Sequence, residues 1–320
     1  MNGVFLDRES LDRGDLRLDE LKATLSDWRM YDATAPQQTA ERIADAEVVI
    51  SNKVVLDEAA LAAAPKLRLI AVAATGTDNV DLHAAARLGI SVCNVRRYAT
   101  PSVVQHVFAL LLNLSRHLND YQQAVRQGRW QQSRQFCLLD YPIHELNGRK
   151  LGIVGYGELG EAVARTAGQA FAMEVLLAQR PGASAQPGRI PLPELLPQVD
   201  VLSLHCPLTE ATRGLIGEPE LALMKPGAIL INTARGGIVD EQALANALRA
   251  GRLGGAGVDV LEREPPGSDS PLLAGDIPNL IVTPHIAWAG LESRRRLTDQ
   301  LAENIRAFLA GRPQNLVTPD

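Results

Sequence analysis

The chain has 320 residues, 46% of them hydrophobic and 22% charged, which places it among globular proteins and gives length enough for two domains. Its net charge of −5 at pH 7, with Lys and Arg spread among acids, supplies no basic stripe of the kind that neutralises a phosphate backbone, and so argues against nucleic acid as a partner.

From the start of the chain, residues 1–16 mix acids with apolar side chains, and no stretch reaches the roughly 18 apolar residues of a membrane span; neither export nor insertion is expected. Short apolar runs at residues 4–6, 48–50 and 67–73 alternate with helical patterns at 18–28 and 56–64, which predicts βαβ units around a parallel sheet. Thr100-Pro101-Ser102 reads as a helix start, with Thr100 as N-cap and proline in the first turn, opening the apolar series Val104, Val107, Phe108, Leu111 and Leu112. A second series of strand-like runs follows at 151–154, 175–177, 201–204, 229–231, 258–261 and 280–282, the pattern of a doubly wound sheet. The Pro/Gly-rich residues 181–193 read as a surface loop. Residues 292–310 place Leu297, Leu301, Ile305, Phe308 and Leu309 on one helical face, with Gly311 ending the helix. The fold class is therefore α/β, with two Rossmann-like doubly wound parallel-sheet domains. Cys93, Cys137 and Cys206 form no C-x-x-C pair, so neither a disulfide framework nor structural zinc is indicated, and a reducing, cytoplasmic compartment fits.

Directly after the run at 151–154 comes Gly155-Tyr156-Gly157-Glu158-Leu159-Gly160, with a helical pattern beyond it. In that context the glycines have separate roles: Gly155 makes the tight turn, Gly157 lets backbone approach a pyrophosphate, and Gly160 lets helix and strand pack closely. The phosphates then meet the N–H groups of the helix N-terminus. At the end of the next run, where an acid would accept the ribose hydroxyls of NAD, the chain has Ala178-Gln179-Arg180. Neutral Gln179 and cationic Arg180 favour NADP(H), since an acid would repel its 2′-phosphate. If Arg180 is only a solvated loop residue, NAD is used as well or instead.

Ligands of open α/β sheets bind beyond the carboxyl ends of the strands, which singles out three polar residues just past apolar runs. Arg235 follows 229–231, Glu264 follows 258–261, and His285 follows 280–282. An arginine forks onto a carboxylate, a histidine exchanges protons near neutral pH, and a glutamate orients that histidine. Each alone has a plain structural reading as a turn cap, a surface acid or a satisfied histidine. Together, beside a dinucleotide cradle, they read as a catalytic set for keto-acid reduction. His83, His106, His117 and His144 read as packing or solvent residues. His205 ends a strand of the cofactor sheet, so its neighbours are expected to line the nicotinamide-side ribose. Cys206 has no base placed beside it for thiol chemistry. Thr75-Gly76-Thr77-Asp78 reads as a turn or as backbone donors for an anion, and Trp130 and Trp288 as core or interface.

These motifs resemble the D-isomer-specific 2-hydroxyacid dehydrogenase family, particularly its glycerate dehydrogenase and hydroxypyruvate reductase members. The resemblance spans nearly the whole chain. It rests on residues 155–160, His205-Cys206-Pro207-Leu208-Thr209, Asn232-Thr233-Ala234-Arg235-Gly236-Gly237, Gly257-Val258-Asp259-Val260 through Glu264-Pro265, and Thr283-Pro284-His285. It implies a substrate domain of residues 1–99 plus 291–320, a dinucleotide domain of 100–290, and an active-site cleft between them. It also implies that Thr75 and Gly76 offer backbone donors to the substrate carboxylate. Glu158, Leu159, Cys206, Pro207, Thr212, Thr233, Ala234 and Asp259 would join the glycines, Gln179 and Arg180 around the cofactor. A homodimer through the cofactor domain, with residues 100–130 at the interface, is implied too. Gln105 departs from the family's usual glutamate, which puts a local hydrogen bond in doubt.

The expected reaction is hydride transfer between NAD(P)H and a small 2-keto acid, hydroxypyruvate or glyoxylate favoured because Trp288 follows the site closely. Arg235 binds the carboxylate, and His285, partnered by Glu264, is the acid or base. The alternatives are a nucleotide-sensing regulator on the same scaffold, or an enzyme for a bulkier keto acid or for phosphite.

Overall fold

In the first of two units, five short strands form one parallel sheet. These are β1 (Asn2–Phe5), β2 (Asp27–Met30), β3 (Val48–Ser51), β4 (Leu69–Val72) and β5 (Ser91–Cys93), in the order β2-β1-β3-β4-β5. All residues of β3 and β4 are buried, as continuous apolar runs covered on both faces require. The structure is a computed structural model that describes residues 1–182 and 184–319. Its units are Met1–Ala99 with Trp288–Asp320, and Thr100–Ala287, so Trp288, Ala289 and Gly290 belong with the first.

Two helices of this unit start on aspartates that accept from the third-residue amide, Asp57 from Ala60 N and Asp81 from Ala84 N, each at 2.8 Å. The helix expected over 18–28 is instead one turn, Asp19–Lys22, followed by β2. Thr24 and Ser26 favour leaving the helix, and the Trp28 ring occupies the space beside Gly3, where a Cβ would lie 2.5 Å from it. The closing helix, Leu291–Leu309, buries Leu297, Leu301 and Ile305 completely, packs on β4, and ends at Gly311 with φ +71°.

The second unit holds six parallel strands: β6 (Lys150–Val154), β7 (Glu174–Leu177), β8 (Val201–Leu204), β9 (Ile229–Asn232), β10 (Gly255–Val258) and β11 (Leu280–Val282). Their order is β11-β10-β9-β8-β6-β7. Within the segment expected as loop, Ile190 makes a single parallel bridge to Ala178, a one-residue strand outside β7. The order thus turns back at β6, and the glycine turn follows that strand.

The long helix is Thr100–Arg116. Thr100 lies inside it, and its hydroxyl donates to Glu158 instead of capping. The buried face runs through Val103, Val107, Phe108, Leu110, Leu111 and Leu114, with Val104 and Leu112 only partly covered.

Candidate functional site

β6 delivers the chain into the glycine turn, where sterics fix two of the three glycines. Gly155 has φ +88°, and a Cβ there would stand 2.5 Å from the backbone N of Cys206. A Cβ on Gly160 would stand 2.0 Å from the carbonyl oxygen of Gly155. Gly157 differs: nothing lies within 4 Å of the position its Cβ would take, and it caps the helix Glu158–Phe171 with extended backbone. Packing therefore leaves that residue unconstrained, and an open helix N-terminus beside it is the arrangement that accepts a phosphate. Glu158 accepts from Thr100 through its side chain, and Leu159 is partly covered in the first turn. Beyond β7, buried Ala178 is followed by partly buried Gln179 and exposed Arg180.

β9, β10 and β11 lie side by side with Asn232, Val258 and Val282 in register. Strand spacing of about 4.8 Å then brings the segments that carry Arg235, Glu264 and His285 to one edge of the sheet. His285 Nδ1 lies 2.7 Å from Glu264 Oε2, and the other carboxylate oxygen accepts from Leu261 N at 2.9 Å. Glu264 is thereby held at both oxygens. A carboxylate on Nδ1 fixes the ring's orientation and tautomer and leaves Nε2 for chemistry. Arg235 is partly buried, with Nη1 donating to Ala234 O at 2.8 Å, and Asn232 Nδ2 donates to Arg235 O at 3.0 Å.

His285 itself sits at φ +53°, a conformation that costs energy for a non-glycine residue and persists only where the surroundings enforce it. Asp259 does the enforcing. It is 1% exposed; Oδ1 accepts from Thr283 Oγ1 at 2.5 Å and Ile286 N at 2.9 Å, Oδ2 accepts from Ala287 N at 2.9 Å, and its backbone oxygen accepts from His285 N at 2.8 Å. The carboxylate of Asp259, which the resemblance implies near the nicotinamide end, holds the turn that carries His285.

Two supports stand behind this turn, and the sequence, in which His106 reads as a packing or solvent residue, does not tie either of them to it. His106 Nε2 lies 2.9 Å from Thr283 Oγ1 and 3.5 Å from Asp259 Oδ1, and Ser102 Oγ donates to Ala287 O at 2.7 Å. The available signal was periodicity: His106 falls on the helix face of Val103 and Leu110, where a polar residue needs a partner.

Of the other expected residues, Thr233 has a buried Oγ1 without a hydrogen-bond partner, a hydroxyl just past β9 that suits a bound polar group. Ala234 N is tied to Asn232 Oδ1 at 3.1 Å. Thr212, 6% exposed, donates to Pro207 O at 2.7 Å and accepts from Thr209 N at 2.8 Å, so its hydroxyl braces the loop after β8. His205 bonds Ser203 through Nε2 at 2.9 Å and has Nδ1 buried without a partner; burial lowers its pKa to about 4, which keeps it neutral at pH 7. Burial raises the Cys206 thiol, the wrong direction for a nucleophile. In the first unit, Thr75 follows β4, donates through Oγ1 to Val95 O at 2.9 Å and accepts from Asn94 Nδ2 at its carbonyl, with Gly76 next to it. Trp288 meets Tyr98 edge-on at 6.4 Å, and Trp130 is half exposed. Among the described residues no group of three or more His, Cys, Asp or Glu could hold a metal ion, and no helix is long and apolar enough to cross a membrane.

Residues 108–287 match the family described as D-isomer specific 2-hydroxyacid dehydrogenase, NAD binding domain. The chain belongs to the D-isomer specific 2-hydroxyacid dehydrogenase family. Among 2-hydroxyacid dehydrogenases it is 48% identical over 315 residues to glycerate dehydrogenase of Methylorubrum extorquens, covering 98% of each chain. It is 40% identical over 324 residues to hydroxypyruvate reductase of Blautia hydrogenotrophica, covering 99% of each. Among solved structures it is similar to the NADPH-dependent glyoxylate/hydroxypyruvate reductase of Sinorhizobium meliloti, in complex with NADP and malonate, with a TM-score of 0.82 and 29% identity over 99% of this chain and 96% of that one.

Proposed function

We propose that the protein reduces small 2-keto acids, hydroxypyruvate and glyoxylate foremost, to D-2-hydroxy acids, with NADPH preferred over NADH. The observation that carries the reading is the His285–Glu264 pair at 2.7 Å, on the same sheet edge as Arg235 and in the unit that holds the glycine cradle. The names of the similar proteins support the substrate class, and Gln179-Arg180, with no acid at that strand end, supports the cofactor.

The fit of a dinucleotide rests on the open Cβ position of Gly157 beside a helix N-terminus and on the unpartnered Thr233 hydroxyl. Gly155, Gly157, Leu159 and Gly160 would hold the pyrophosphate, Gln179 and Arg180 the adenosine end, and Thr233 and Ala234 the nicotinamide end. When bound, a reduced nicotinamide would supply the hydride for reduction of the keto acid at C2. Arg235 binds the substrate carboxylate in a fork and so aligns C2, which converts a bimolecular encounter into an oriented one. Thr75 and Gly76 keep the role the resemblance implies, as backbone donors to a carboxylate. His285 gives the proton on Nε2 to the oxygen on C2 as negative charge develops there, while Nδ1–H stays on Glu264. In the reverse direction His285 takes that proton back.

The test is a panel of 2-keto acids, each with NADPH and with NADH, followed by loss of the reduced-nicotinamide absorbance and by chiral analysis of product. Turnover of hydroxypyruvate or glyoxylate to a D product, faster with NADPH at low cofactor, is expected. No turnover with any keto acid would favour a nucleotide-sensing protein and contradict the reading.

The resemblance also supports a homodimer through the second unit. Leu118, Trp130, Phe136 and Leu139 are 54%, 52%, 90% and 79% exposed within one stretch of chain, apolar side chains that a partner could cover. Light scattering should return twice the mass of the 34.5 kDa chain.

A further inference from the structure

Arg189 belongs to no motif, yet its placement is specific. The turn from Gln186 to Arg189, closed by Arg189 N donating to Gln186 O at 3.1 Å, leads into the Ile190 bridge. There Ile190 N donates to Leu177 O at 2.9 Å and Gln179 N donates to Ile190 O at 2.8 Å. This pins the backbone of Arg189 beside the carboxyl end of β7. From there the side chain reaches back to the glycine turn, and its guanidinium lies 4.8 Å from the centroid of the Tyr156 ring. Tyr156 is the residue between Gly155 and Gly157, and its ring is 41% exposed.

Arg189 therefore spans the carboxyl ends of β7 and β6, next to the point where the strand order turns back, and ligands of such sheets bind there. Arg180, by contrast, is exposed and follows the strand without an anchor of this kind on a ring. Three features suit a phosphate reader. A guanidinium is always charged and forks onto phosphate oxygens. Resting on an aromatic face keeps it extended without neutralising it, and that contact is weak beside a bidentate phosphate pair. Its backbone is tied to the sheet, so little freedom is lost on binding.

Resting on the NADPH reading above, we infer that Arg189, pre-oriented on Tyr156, is the specificity-determining residue that recognises the 2′-phosphate of the cofactor. Arg180 makes the smaller contribution. Tyr156 positions the guanidinium and does not itself contact the phosphate.

The test is direct binding to the whole protein without substrate, by calorimetry, of NADPH, NADH, and the half-cofactor probes 2′,5′-ADP and 5′-AMP. Arg189→Ala should weaken NADPH and 2′,5′-ADP by about tenfold or more, the loss expected of a charge-assisted pair, and leave NADH and 5′-AMP within about twofold. Arg180→Ala should cost less. Tyr156→Leu should weaken NADPH by a smaller factor, again sparing NADH, and thermal melting should be nearly unchanged in all three because Arg180 and Tyr156 are exposed and Arg189 is only partly covered. Equal losses for phosphorylated and unphosphorylated ligands, or no loss at Arg189→Ala in a protein that prefers NADPH, overturn the inference alone. A wild-type protein that binds NADH as tightly as NADPH overturns the cofactor reading beneath it as well.

Discussion

The imidazole of His285 and the carboxylate of Glu264 meet at 2.7 Å, Nδ1 to Oε2, while Leu261 N secures the other oxygen at 2.9 Å. Glu264 is thus a fixed group to which the histidine is fitted. Glu264→Gln keeps an oxygen that can accept from Nδ1 but removes the negative charge that faces the ring. It should lower kcat by on the order of a hundredfold with little change in KM for the cofactor. Glu264→Leu, which also removes the orientation, should lose more. Steady-state kinetics on the two variants checks the order; equal activity of wild type and Glu264→Gln would deny the pairing a role.

The glycine turn gives a prediction in which neighbouring substitutions part company. Gly160→Ala puts a methyl 2.0 Å from the Gly155 carbonyl oxygen, so backbone must move, and unfolding by urea should show a loss of about 3 kcal/mol. Gly157→Ala meets nothing within 4 Å and should fold with wild-type stability. Its methyl would intrude where phosphate approaches, and dinucleotide affinity should fall on the order of tenfold. If Gly157→Ala bound NADPH normally, the cradle would be misassigned.

Asp259→Asn tests the support of the His285 turn. The buried carboxylate accepts from Thr283 Oγ1, Ile286 N and Ala287 N, and an amide in its place must turn an NH2 toward one of these donors. The expected loss is about 2 kcal/mol of stability, accompanied by a fall in kcat larger than any change in cofactor affinity, because His285 is released from φ +53°. Denaturation and single-turnover rates on the same preparation check both. A variant stable and fully active would show the turn to be self-supporting.

How much of this was legible in the sequence depends on whether a residue announces itself by its neighbours in the chain or only by those in space. The glycine turn and the three strand-end residues could be read because apolar runs give the sheet, and a sheet gives its carboxyl edge. Asp259 also follows a strand, yet nothing in Gly257-Val258-Asp259-Val260 says that its carboxylate points inward to residues 283–287. His106 and Ser102 act across 177 and 185 residues, and their only local trace is a polar position on a buried helix face. The helix expected over 18–28 failed because Trp28 is recruited to an edge strand by the space above Gly3, a tertiary demand that overrides local pattern.

His205 predicts an acid limb in stability. Burial lowers its pKa from 6.5 to about 4, so the unfolded chain binds a proton between those values that the folded chain refuses. Stability should rise with pH across that window and fall as pH drops through it, by about 3 kcal/mol in full. Urea unfolding from pH 4 to pH 7 should show a shallower slope in His205→Gln than in wild type; identical slopes would mean that the ring is not shut away from water.

The central claim is that His285 carries the proton that accompanies hydride transfer, and its most direct test is His285→Ala. With hydroxypyruvate and NADPH, kcat should fall by roughly 10²–10⁴-fold while the dissociation constant for NADPH, measured without substrate, stays within about twofold. A variant that retained kcat within a factor of a few would contradict the account.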